Sequence, residues 1–123
     1  MGTITRWVLL VQGILYVVSG AWPVVHLASF EAVTGEKYDD FLVHTVGLLL
    51  VTVGIALLAA LRRHSLTPEI LWVAAGSAGS LLAIEIVYYL NGRLSPIYLL
   101  DAAAETVFFL TALTALRKGM RPA

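Results

Sequence analysis

Residues 41–61 read FLVHTVGLLLVTVGIALLAAL, and Arg62 and Arg63 follow at once. No Asp, Glu, Lys or Arg interrupts the stretch. A hydrocarbon layer of ~30 Å needs about 20 helical residues to cross it. Lipid offers no partner to an open backbone group, so such a crossing must be a helix. This segment therefore reads as a transmembrane helix stopped by two arginines.

Three more stretches have the same length and character: residues 7–27, 69–90 and 97–116. The composition agrees. Of 123 residues, 59% are hydrophobic and 13% charged, and the mean hydropathy is +0.87. A soluble domain has about 25% charged residues, and a chain this short cannot hide so much apolar surface in one core. The expected fold is all-α, a polytopic membrane protein built as one antiparallel bundle of four transmembrane helices over residues 1–123. The formal net charge is zero, so no global field recruits nucleic acid. There are no cysteines, which excludes disulfides, thiolate metal sites and thiol catalysis.

The boundaries have their own signals. Thr67-Pro68-Glu69 places a cap, a proline at the first helical position and an acid in the first turn. Ser95-Pro96 repeats the device, Asn91-Gly92 suits a helix stop, and Asp39 or Asp40 can cap the second span. Pro23 predicts a kink near the end of the first. The first apolar run continues past Pro23 without a small-residue cleavage site, so it reads as a span rather than a removable signal. Arg6 stands where a myristoylation signal needs Ser or Thr.

Four spans put both termini and the 62–68 connection on one side, with Arg6, Arg62, Arg63, Arg117, Lys118 and Arg121. The other side has Lys37 and Arg93. Six cations against two predict cytoplasmic termini by the positive-inside rule, in a multi-pass protein of the inner (plasma) membrane. The long 28–40 connection is expected to lie on the membrane surface or to fold back as a lid. Gly13 and Gly20, like Gly47 and Gly54, are seven apart, and small residues at that spacing let helices approach closely. A homodimer or a larger membrane complex fits such small-residue faces.

Ionisable groups inside spans are costly and mark function by default. At ~100° per residue, Gln12, Tyr16, Ser19, Pro23 and His26 form one stripe. Asp40 and His44 are neighbours one turn apart, Glu85 shares a face with Tyr89, and Tyr98, Asp101, Glu105 and Phe108 share another. All the ionisable ones fall in the half expected to face away from the cytoplasm. Most have a plainer reading. Asp40 can be a cap, Asp101 can complement a helix dipole, and His26 can be an interfacial side chain. His44 can bond a neighbouring helix, and Trp22, Tyr88, Tyr89 and Tyr98 can be an aromatic belt. Glu85 and Glu105 cap nothing and lie too deep for their short side chains to reach water freely.

Desolvation disfavours a charged carboxyl, and two acids sharing a site can hold one proton between them. That suits general acid–base chemistry on an apolar substrate. The candidate catalytic set is Glu85, Glu105, Asp101, His44 and Asp40. The candidate ligand-binding set is Tyr16, Trp22, His26, Tyr89 and Tyr98. No compact ligand motif such as H-x-x-x-H is present, so neither a metal nor another cofactor is expected. The leading reading is a small hydrophobic or amphipathic molecule bound in an acid-lined pocket, with isomerase-, cyclase- or hydrolase-type chemistry as a further step. Membrane lipid is the surrounding partner. The alternatives are a non-catalytic accessory or assembly subunit of a membrane complex, and a proton or ion pathway.

Residues 30–39, FEAVTGEKYD, with 41–47, FLVHTVG, and the pairs Gln12-Gly13 and Trp22-Pro23, resemble a pattern in uncharacterised small bacterial four-helix inner-membrane proteins. The resemblance covers the whole chain and implies a bacterial inner-membrane protein without implying an activity. The architecture, a short four-helix bundle with intramembrane acids, also resembles at a distance the EXPERA group of sterol isomerases and sterol-binding proteins. That likeness implies proton shuttling on a hydrophobic ring or alkene by the buried acids.

Overall fold

The computed structural model describes residues 2–35, 39–92 and 95–119. Glu36, Lys37, Tyr38, Arg93 and Arg121, which entered the charge and motif arguments, lie outside the described residues. Five helices account for most of the chain: α1 (Thr3–Val25), α2 (Leu27–Thr34), α3 (Asp40–Arg62), α4 (Pro68–Leu90) and α5 (Ile97–Gly119). No strand occurs among the described residues. α1, α3, α4 and α5 are long and apolar enough to cross a membrane.

Helix ends follow local chemistry. The Thr67 hydroxyl accepts from the Ile70 amide at 3.4 Å, ahead of Pro68 at the first position of α4. Asp39, not Asp40, caps α3 by accepting from the Leu42 amide at 3.1 Å. Asp40 occupies the first turn, where an acid complements the helix dipole. Gly92 stops α4 with φ +72°, a left-handed conformation that glycine adopts without a Cβ penalty.

The first span starts at Thr3, four residues earlier than expected, and breaks at His26. The 28–40 connection then contains a helix that the sequence reading did not foresee. His26 caps it: its Nδ1 accepts from the Ser29 amide at 3.2 Å and lies 2.6 Å from the Ser29 hydroxyl. Trp22 Nε1 donates to the same hydroxyl at 2.9 Å. Trp22 also meets Phe30 edge to face, centroids 5.5 Å apart. These contacts fold α2 back against the end of α1.

The two closest helix pairs are α1 with α3 and α4 with α5. The first seam is glycine against glycine. A Cβ on Gly47 would lie 2.5 Å from the Gly20 carbonyl oxygen, and one on Gly54 2.6 Å from that of Gly13. A Cβ on Gly20 would collide with the Gly47 carbonyl oxygen in turn. Backbones this close gain dispersion along the whole contact, the usual glue where no hydrophobic effect drives helices together. The second seam uses alanines and an aromatic ring: Gly79 receives the Phe109 ring, whose Cε1 lies 3.0 Å from a would-be Cβ.

At the end bearing the termini, Leu9, Leu57, Leu61, Leu71, Ala74, Ala75, Ala112, Ala115 and Leu116 form a closed apolar core. Arg6 Nη2 donates to the Leu61 carbonyl at 2.8 Å, satisfying one of the acceptors that every helix C-terminus leaves open.

Candidate functional site

Above that core the interior turns polar. Gln12, Glu85 and Glu105 are the buried polar residues, at 0%, 6% and 1% exposure. Gln12 and Tyr16 come from α1, Glu85 from α4, Asp101 and Glu105 from α5. On α1, Gln12 and Tyr16 are one turn apart and so share a face. On α5, Asp101 and Glu105 do the same.

A directed hydrogen-bond chain joins them. Gln12 Nε2 donates to the Ala74 carbonyl at 3.0 Å and to the Tyr16 hydroxyl at 3.2 Å. The Tyr16 hydroxyl donates to Glu105 Oε2 at 2.7 Å. Having accepted from Gln12, the hydroxyl has its proton aimed at Glu105. The Tyr16 ring is held edge-on against Phe108, with centroids 6.3 Å apart and planes at 80°. Glu105 is thus held in place by a partner that is itself positioned.

Glu85 is different. Both of its carboxyl oxygens are buried and neither meets an N–H donor; the side chain within hydrogen-bonding reach is the carboxyl of Asp101, another acid, so a bond between them needs one of the two to hold a proton. Its charged neighbours are Asp101 and Glu105, both acids. An unsatisfied buried polar group costs about 1–3 kcal/mol, and more when charged. Native proteins rarely leave one without a reason. Asp101 is half-buried, and so is Tyr89, one turn along α4 from Glu85. The Gln12 Oε1 atom is also buried without a partner.

At 1.5 Å per residue, Asp101 and Glu85 lie ~6 Å and ~8 Å from the ends of their helices that face away from the termini. Glu105 is ~12 Å in, Tyr16 ~14 Å and Gln12 ~20 Å. The polar chain therefore passes the midpoint of helices that are each 23 residues long, deeper than the half-membrane expected from the acids alone. Gln12 is the member the site assignment from sequence lacked. It stood on the right stripe, but an uncharged amide gives no signal of its own.

The remaining candidates are placed elsewhere. His26 is exposed and caps α2, and Trp22 is tied to Ser29 and Phe30 at the same corner. Asp40 is exposed in the first turn of α3. No hydrogen bond or ion pair joins Asp40 to His44. His44 is half-buried one turn before Gly47, whose would-be Cβ meets Gly20, Val24 and Pro23 of α1 rather than the acids. Tyr98 is half-buried, in the first turn of α5. Among the described residues, no three His, Asp or Glu side chains are grouped to hold a metal ion.

No family model matches the chain, and no curated protein or solved structure matches it either.

Proposed function

We propose that this chain is a multi-pass protein of a bacterial inner membrane, an antiparallel four-span bundle with cytoplasmic termini. In this reading the cluster of Tyr16, Glu85, Asp101 and Glu105 binds a small hydrophobic or amphipathic molecule. Glu85 accepts the ligand's hydroxyl or amine. Glu105, with its hydrogen bond from Tyr16, is the second acid, and the pair is suited to move a proton on the bound molecule. Asp101, half-buried at the shallow edge, lies toward the side from which a ligand enters.

The observation that carries this reading is the buried Glu85 carboxyl, which meets no N–H donor and lies against the acids Asp101 and Glu105. A buried group in that state calls for an explanation, and a donor on a ligand that enters the cluster supplies one. The burial of both glutamates speaks against acids that face outward to pair with a partner subunit's cations. The polar chain also ends at Ala74, against the apolar core, which speaks against a continuous ion path.

The test is native mass spectrometry of protein released from membranes in mild detergent, comparing wild type with Glu85→Gln and Glu105→Gln. Losing a hydrogen bond to a charged group costs about 1.5–3 kcal/mol, so occupancy of the co-purifying species should fall at least about tenfold in Glu85→Gln. Equal occupancy in all three proteins contradicts the proposal.

A further inference from the structure

The end of the molecule that bears the termini has a second feature, on its outer surface. Arg6, Trp7 and Leu10 of α1 and Leu58 and Arg62 of α3 line a groove between the two helices. Ile55, Leu58, Ala59, Arg62 and Arg63, all at the end of α3, line a second, open groove on that helix's own surface. The two grooves share Leu58 and Arg62, which form the ridge between them. Leu58 is seated on Gly13, where a Cβ would come within 2.8 Å of its side chain, so the glycine seam fixes the ridge.

Each groove is apolar along its length and cationic at its mouth. Arg6 spends one of five N–H donors on the Leu61 carbonyl. No ion pair joins Arg6, Arg62 or Arg63 to an acid among the described residues, where the one acid at this end is Glu69, in the first turn of α4. Trp7 is 63% exposed, at the level where an indole favours the headgroup boundary.

From this placement we infer a binding site for one anionic phospholipid. Its phosphodiester sits among Arg6, Arg62 and Arg63, and its two acyl chains lie in the grooves on either side of Leu58. Charge complementarity and the apolar surfaces on either side of Leu58 select a lipid rather than a free anion. Basic pockets between spans on the cytoplasmic side bind such headgroups. The inference rests on the membrane-spanning part of the proposed function and not on the acid cluster.

The experiment uses the full chain in detergent, titrated with dioleoyl phosphatidylglycerol or dioleoyl phosphatidylcholine and read by native mass spectrometry. One phosphatidylglycerol should remain bound where phosphatidylcholine is lost. A cationic side chain near the headgroup is worth ~1 kcal/mol, so Arg62→Gln should lower that occupancy about fivefold. Arg62→Gln leaves the Arg6–Leu61 bond intact. Arg117→Gln removes the same charge away from both grooves and should change nothing. Equal retention of the two lipids, equal losses in Arg62→Gln and Arg117→Gln, or displacement by excess inorganic phosphate would each overturn the site. Release of the wild-type protein from membranes by alkaline carbonate would overturn the membrane reading, and the lipid site with it. Retention in the membrane with equal lipid binding would overturn the lipid site alone.

Discussion

The α1–α3 seam and the α4–α5 seam solve the same packing problem with opposite chemistry. The first brings backbone to backbone at Gly13, Gly20, Gly47 and Gly54 and leaves no room for another atom. The second is spaced by alanine and phenylalanine side chains, and its part away from the termini contains Glu85, Asp101 and Glu105. A seam closed by glycines contributes rigidity and a fixed frame. A seam that brings three acids together leaves part of their hydrogen-bonding capacity unused, and in the proposed function a ligand meets that capacity. The contrast divides the molecule into a holding pair and an acid-bearing pair, joined where Tyr16 of α1 reaches Glu105 of α5.

The largest effect should come from breaking the holding pair. Gly20→Leu drives a side chain into the Gly47 carbonyl oxygen, and backbone cannot give way as a side-chain tip can. Overpacking typically costs about 1–3 kcal/mol, occasionally more, and this position belongs at the upper end. Size-exclusion chromatography in detergent should show loss of the monodisperse folded species. A wild-type profile would mean that the seam is looser than the glycine contacts imply.

A smaller effect tests the link between the pairs. Tyr16→Phe removes the hydroxyl that donates to Glu105 and keeps the ring on Phe108. The loss should be about 1–3 kcal/mol, since a buried acceptor is left unpaired, and should appear as a lower thermal midpoint. An unchanged midpoint would show that Glu105 is satisfied without Tyr16.

The smallest effect separates crowded glycines from uncrowded ones. A Cβ on Gly76 meets nothing within 4 Å, so Gly76→Ala should gain about 0.5–1 kcal/mol from helix propensity alone. Gly47→Ala in the same assay should lose stability. Equal responses would erase the distinction between the α1–α3 seam and the rest.

The elements were legible because their signals are local. Span length, the Thr67-Pro68 start and the Asn91-Gly92 stop depend on neighbours a turn away. The seven-residue glycine spacing marked the faces on α1 and α3, and helix periodicity put Asp101 and Glu105 on one face of α5. Partner choice was not legible, because a helical wheel shows which way a residue points and not what stands opposite. So His44 and Asp40 were grouped with acids on helices other than their own, while Gln12, on the stripe with Tyr16, was left out. α2 was missed because its cap is a histidine side chain and its eight residues, LASFEAVT, show no strong apolar face. Its anchoring to Trp22 through Ser29 is tertiary information.

The central claim is that Glu85 is kept for what it binds and not for the fold, and thermal unfolding of Glu85→Leu tests it most directly. Removing a buried acid that faces other acids relieves its desolvation cost, and replacing buried ionic groups with apolar ones of similar volume is often neutral or stabilising, by about 1–4 kcal/mol. In exhaustively detergent-washed protein the account predicts a higher midpoint than wild type. A midpoint lowered by a similar amount would mean that Glu85 serves the fold itself, and would contradict the account.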